Sequence, residues 1–142
     1  MSDRDLTEAL IDAASKTNVA RVRELLARGA DPNAPGKWGR TPLPLAVRYA
    51  YNNEADAILI AEALLDAGAD INAAPGDCLA PLRSAAIYHY QELLRFLIAK
   101  GADVNDRDPA GQTVITLMET TPTLKRSSRR IVKILEQAGG SR

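Results

Sequence analysis

The sequence predicts an all-α solenoid of four helix–turn–helix units, two internal and two capping, in a single domain over residues 1–142. Three observations predict it. The stretch Leu64-Leu65-Asp66-Ala67-Gly68-Ala69-Asp70-Ile71-Asn72-Ala73 occurs earlier as Leu25-Leu26-Ala27-Arg28-Gly29-Ala30-Asp31-Pro32-Asn33-Ala34 and later as Leu97-Ile98-Ala99-Lys100-Gly101-Ala102-Asp103-Val104-Asn105-Asp106. A worn copy, Ile134 to Gly140, closes the chain. The glycines of successive copies stand 39, 33 and 38 residues apart, yet Gly29 to Thr41, Gly68 to Ala80 and Gly101 to Thr113 are each 12 residues. The connection after each glycine is therefore constant, the base period is 33, and the extra residues fall between the two helices of a unit. The units run over about 6–34, 35–73, 74–106 and 107–140.

Each copy reads as a helix end followed by a turn. The paired aliphatic residues belong to a buried face, so Leu64, Leu65, Leu97 and Ile98 are expected between units. The glycine follows the last turn, where a left-handed backbone suits a residue without Cβ. Asp-x-Asn then favours a turn, because short polar side chains bond nearby backbone.

The stretch Gly39-Arg40-Thr41-Pro42-Leu43-Pro44-Leu45-Ala46 and the three Gly-Ala-Asp-x-Asn copies resemble the ankyrin repeat family, with Pro44 where the family carries His. Ala80-Pro81-Leu82 and Gly111-Gln112-Thr113-Val114 are worn forms of the same opening, and the resemblance covers about residues 5–140. It implies units joined by hairpin-like turns, with a concave face built from turn tips and inner helices. It also implies a protein whose work is to bind other proteins.

Along the chain, residues 1–5 read as a frayed polar start, followed by Leu6, Leu10, Ala13 and Ala14 on one helical face. Asn18 caps a second helix whose Val19, Val22, Leu25 and Leu26 face inward. Glu8 and Asp12 replace Thr and Leu of internal repeats, which fits an end unit facing water. In the second unit Thr41 is expected to cap and Pro42 to take the first helical position. Its six extra residues predict a longer inner helix, a turn at Asn52-Asn53, and an outer helix from about Glu54 to Ala67. The third unit has Ala80 in place of the capping Thr, Cys78 in place of the turn Gly, and Gly76 nearby to take the unusual backbone geometry. Its helices run from Pro81 to about Tyr88 and from about Gln91 to Lys100. The fourth predicts a helix over Val114 to Thr120, a polar basic linker, and a last helix capped by Ser127 or Ser128 that ends at Gln137.

Composition excludes several function classes. Eighteen basic and eighteen acidic residues give no net charge, so nothing pulls the whole chain toward nucleic acid or anionic membrane. One cysteine excludes an internal disulfide and a cysteine metal cage, and no apolar run is long enough to span a bilayer. With an acidic rather than signal-like N-terminus, the expectation is a cytoplasmic, monomeric protein of bacterial type without cofactor or metal. Cys78 and His89 are eleven residues apart, a separation that the repeat register spreads over a turn tip and the far end of a helix. No catalytic residue is assigned, and the chain is read as no enzyme.

The remaining signals concern binding. The segment Lys125-Arg126-Ser127-Ser128-Arg129-Arg130 has four cations in six residues, which suits phosphates or an acidic protein surface, although balanced net charge opposes a nucleic-acid specialist. None of the four tyrosines and the one tryptophan falls on an outer helix. Tyr49 and Tyr88 end adjacent inner helices, Tyr51 and Tyr90 lie two residues beyond, and Trp38 sits on the first tip between Lys37 and Arg40. Aromatic rings bury large areas with few rotors, so these residues, with Arg48 and Arg83 as polar neighbours, are the candidate partner-binding set. Packing between units is the competing role, most of all for Tyr90. The reading is a non-catalytic module that masks, inhibits or scaffolds a partner. By resemblance, a bacterial immunity protein or host-directed effector would act through the same binding.

Overall fold

The computed structural model describes residues 1–75, 79–125 and 128–142. The expectations placed on Gly76, Cys78 and Ser127 lie outside these residues, as does Arg126 of the basic segment. The described residues form α1 (Asp3–Ser15), α2 (Val19–Ala27), α3 (Pro42–Arg48), α4 (Glu54–Asp66), α5 (Pro81–Ile87), α6 (Gln91–Ala99), α7 (Val114–Thr120), α8 (Pro122–Lys125) and α9 (Arg129–Gln137). Inner helices pack on inner helices, α1 on α3, α3 on α5 and α5 on α7, while α2, α4 and α6 stack in sequence as a second layer. The predicted all-α repeat architecture is thus present.

The chain start is ordered as a helix, not frayed. Ser2 and Asp5 form a reciprocal capping box, each side chain accepting from the other's backbone N–H at 3.2 Å. Those bonds hold the Asp5 carboxyl below its ordinary range. Asn18 caps α2 as expected, its Oδ1 accepting from Arg21 N at 3.1 Å. Thr41 occupies the cap position of α3 without a side-chain capping bond, and Pro42 begins the helix.

The paired aliphatic residues divide their roles. Leu25, Leu64 and Leu97 are fully buried, whereas Leu26, Leu65 and Ile98 are only partly buried against the core. Consecutive helical residues point about 100° apart, so only the first of each pair faces the other layer. Full burial of Leu65 and Ile98 is therefore corrected to half-burial.

The six extra residues of the second unit also fall differently. Inner helices α3 and α5 are both seven residues long, so α3 is not extended. The additions form a 3-10 turn over Ala50–Asn52 and lengthen the outer helix, since α4 has 13 residues against nine in α6. Asn53 explains this: its backbone is extended at φ −167° and its side chain accepts from Asp56 N at 3.0 Å. Glu54 and Asp56 then place negative charge in the first turn, where the helix dipole favours it.

Glu54 has a second use. Tyr90 caps α6 without a side-chain bond, and Glu54 Oε1 from the neighbouring unit accepts from Leu93 N at 3.1 Å. Glu54→Ala is expected to lower stability by about 1 kcal/mol, as loss of an N-cap does. Chemical denaturation against Glu62→Ala, an exposed position on the same helix, measures it.

The turns couple the units through asparagine. Within each turn the Asp accepts from the Asn backbone: Asp31 from Asn33, Asp70 from Asn72 and Asp103 from Asn105, at 2.8–3.0 Å. The Asn side chains reach the next unit instead. Asn33 donates to Gly68 O and accepts from Asp70 N, both at 2.8 Å, and Asn72 accepts from Asp103 N at 2.9 Å. Asn105 donates to Gly139 O at 3.1 Å and accepts from Ser141 N at 2.7 Å. In the fourth unit the expected linker contains α8, and buried Ser128 makes no capping bond. Its hydroxyl turns back to donate to the Leu124 carbonyl.

Candidate functional site

The tip between α2 and α3 lies against the Glu8 and Ile11 side chains of α1 at Gly36. A Cβ there would stand 2.4 Å from Ile11 Cδ1 and 3.1 Å from Glu8 Oε1. Gly36 N donates to Arg40 O at 2.8 Å and Gly39 N to Gly36 O at 3.1 Å, closing the tip. Within it Trp38 adopts φ 57°, ψ 25°, a left-handed conformation that is uncommon for a bulky residue, and remains 73% exposed.

That conformation is not demanded by the tip itself. In the fourth unit Asp108 N donates to Gln112 O at 3.0 Å and Gly111 N to Asp108 O at 2.8 Å, the same pattern of bonds. There the positive φ falls on Gly111 alone, while Ala110, the counterpart of Trp38, has none. Trp38 therefore holds backbone strain at a position where an equivalent turn closes without it.

Between α1, the tip and α3 lies an open cleft of about 210 Å³. Four of the sequence-predicted residues line it: Lys37, Trp38, Arg40 and Tyr49. The Arg40 guanidinium lies 5.0 Å from the Trp38 ring centre, and that of Arg48 lies 5.9 Å from Tyr49. Tyr51, 68% exposed, stands beside Tyr49 with ring centres 6.1 Å apart. In the next unit Tyr88, 49% exposed, pairs with Tyr90 at 5.9 Å. Tyr90 packs partly into the core, and burial, then the neighbouring Tyr88, pushes its phenol above the ordinary value.

Arg83 is placed elsewhere. It is only 6% exposed, and its Nη2 donates to the carbonyls of Asp106 and Gln112, each at 3.3 Å. Its Nη1 lies 3.8 Å from Asp108 Oδ2. The side chain is spent inside the fold, holding the last tip to α5, so its assignment as a surface neighbour of the tyrosines is corrected.

The first helix supplies what sequence reasoning missed. Glu8, Ile11, Asp12 and Ser15 form the opposite wall of the cleft, and Leu45 of α3 also lines it. By sequence Glu8 and Asp12 read as the outer face of an end unit turned to water; the structure places them beside the tip as well. The signal available was Gly36: a glycine at the tip's edge permits close approach to whatever helix precedes it. His89, in the α5–α6 turn, has φ 60° and a buried Nε2 without a hydrogen-bond partner. Among the described residues no group of three or more His, Cys, Asp or Glu side chains gathers as a metal site. Nor is any described helix long and apolar enough to cross a membrane.

Two stacked layers of short helices, joined by polar tips, define a helical repeat protein. The chain belongs to the ankyrin repeat family. A family model described as ankyrin repeats, in three copies, matches residues 10–108. The cyclin-dependent kinase 4 inhibitor B of Rattus norvegicus is 32% identical over 92% of both chains. The cyclin-dependent kinase inhibitor 2A of Homo sapiens is 32% identical over 92% of this chain and 77% of its own. The putative ankyrin repeat protein YahD of Escherichia coli (strain K12) is 31% identical over 74% of this chain and 49% of its own length. The chain is a protein–protein interaction module.

Proposed function

We propose that the protein acts without catalysis, by occupying a partner protein through the inner-helix face of its first three units. The observation that carries this is Trp38, exposed in a left-handed backbone above a cleft that also includes Tyr49. Tyr51 and Tyr88 extend the same aromatic surface across two units. Masking or inhibition is the favoured mode, since relatives matched over most of their length are named as inhibitors. A cytoplasmic setting suits the lone Cys78, and a bacterial immunity or effector role would use the same face.

Trp38→Ala and Tyr49→Ala are each expected to weaken partner binding by more than about 1 kcal/mol, the magnitude that separates anchors from bystanders. Melting temperatures should stay near that of the unaltered protein. Affinity capture from native lysate, with the wild type and both variants side by side, gives the partner and then the affinities. Early unfolding with normal binding of the folded fraction would make the rings structural and move the binding face elsewhere.

A further inference from the structure

The balanced total charge hides a division along the stack. Residues 107–142 have seven basic and three acidic residues, a net +4, while residues 1–106 have eleven and fifteen, a net −4. In the outer layer the division falls helix by helix. The same exposed place, six residues before each stop glycine, holds Arg23, Glu62, Arg95 and Lys133 in turn. On α2, Arg21 and Arg28 both pair with Glu24, at 3.1 and 3.0 Å, which leaves Arg23. On α6, Glu92 and Arg95 cancel, and Lys100 at its end lies over the Phe96 ring. On α4 the acids Glu54, Asp56, Glu62 and Asp66 stand without a basic residue, and Glu54 alone is engaged, at Leu93 N. On α9 the cations Arg129, Arg130 and Lys133 stand with one acid, Glu136, which lies 3.8 Å from Arg142. Glu62, Asp66, Arg129, Arg130 and Lys133 are all exposed and form no ion pair among the described residues.

Neither group serves its own helix. Arg129 and Arg130 occupy the first turn of α9, the positive end of its dipole, and Asp66 the last turn of α4, the negative end. Beside the acids, α4 also presents Leu59, 39% exposed, in the place that Arg130 takes on α9. Leu59 is the one large apolar side chain exposed on an outer helix among the described residues. A polyanion such as nucleic acid would suit α9 and be repelled by the net −4 of the first three units. A second copy of this chain supplies both complements at once, cations for α4 and carboxylates for α9.

We propose that the outer layer is a self-association surface, on which α4 of one copy pairs with α9 of a second. Arg130 and Lys133 of one copy meet Glu62 and Asp66 of the other, and an arginine stem covers Leu59. In a two-fold dimer the contact forms twice. This is a dimer in place of the monomer expected from the sequence. It leaves the ringed inner face open, so it stands whether or not that face binds a partner.

Sedimentation equilibrium of the full chain tests it, up to about 1 mM, the weak end of specific affinity. The measurement is made in about 10 mM and about 1 M salt, where screening lengths differ about tenfold. A concentration-dependent dimer is expected at low salt, weakened about tenfold or more at high salt. Glu62→Lys/Asp66→Lys and Arg130→Glu/Lys133→Glu should each sediment as monomers. Both should melt no lower than the wild type, because Asp66→Lys and Arg130→Glu bring those charges into accord with their helix dipoles. An equimolar mixture of the two reversed variants should associate as the wild type does, since opposite charges then face each other in both contacts. Asp66→Lys and Arg130→Glu singly, alone and mixed, serve if a double variant folds poorly. A wild type that stays monomeric overturns the proposal, whether or not it takes up an oligothymidylate at α9 or polylysine at α4. Association that survives either reversal, or a mixture that stays monomeric, overturns it as well.

Discussion

Leu97→Ala is expected to lower the free energy of unfolding by about 2–5 kcal/mol, the range for emptying a buried leucine site. Leu97 is fully buried, at the end of α6 that also forms the helix stop. The carbonyl of Leu97 accepts from Ala102 N at 3.0 Å, so the residue joins the core to the turn that follows. A cavity there has little freedom to collapse, because α4 and α5 both pack on α6. Ile98→Ala is the internal comparison: its side chain is only partly buried, and about 1 kcal/mol is expected from the smaller area involved. Urea denaturation of the three proteins checks both values. Equal losses at the two positions would mean that the helix is rotated from the position described, and a Leu97→Ala loss below about 0.5 kcal/mol would mean that the repeat register is wrong.

The same contrast shows what periodicity can and cannot reveal. Spacing from glycine to glycine locates every unit, because the left-handed stop recurs at Gly29, Gly68, Gly101 and Gly139 with φ between 91° and 100°. Spacing does not tell which member of an aliphatic pair points into the other layer, since both fall on the apolar arc. The insertion in the second unit shows a different limit. Arg48-Tyr49-Ala50-Tyr51 continues an acceptable helical sequence, yet α3 stops at Arg48 as its counterpart α5 stops at Ile87. Asn53, with acids at Glu54 and Asp56, starts the next helix early and takes the additional length for α4. A cap won over a propensity.

The candidate site was readable only in part for a related reason. Trp38, Lys37, Arg40 and Tyr49 were found because exposed rings at repeat positions stand out from an otherwise Ala- and Leu-rich pattern. Glu8 and Asp12 were not, because a charged residue on an end unit has an adequate explanation in solvent. Their part in the cleft depends on the approach of the tip over Gly36, a tertiary contact between α1 and residues nearly thirty positions later. Asp-x-Asn reads as a turn, and the aspartates make it one, whereas the asparagine side chains reach into the next unit instead. No local pattern distinguishes the two, since both side chains suit a turn and only the neighbouring unit's backbone supplies the second set of partners.

Arg83 was the furthest from its expected place, and its replacement should have the second large effect. An arginine on an inner helix beside Tyr88 reads as a polar surface neighbour, but the last tip folds over it and leaves it 6% exposed. Arg83→Ala removes the donor to the carbonyls of Asp106 and Gln112 and a cation 3.8 Å from Asp108 Oδ2. It leaves those acceptors facing a void, and a loss of about 3 kcal/mol in unfolding free energy is expected. Asp108→Asn separates the contributions. At 3.8 Å the ion pair is too long for a hydrogen bond, so removing the charge alone should lower stability by less than about 1 kcal/mol. The neutral amide oxygen can still accept from Gln112 N, as Asp108 Oδ1 does at 2.9 Å. Denaturation of the two variants tells the mechanisms apart. A small loss for Asp108→Asn beside a large one for Arg83→Ala assigns the work to the carbonyl bonds and the packing of the guanidinium. Equal losses would assign it to the charge pair. If Arg83→Ala instead keeps wild-type stability and loses the captured partner, the guanidinium reaches the surface after all, and the binding face extends along α5 toward the last tip.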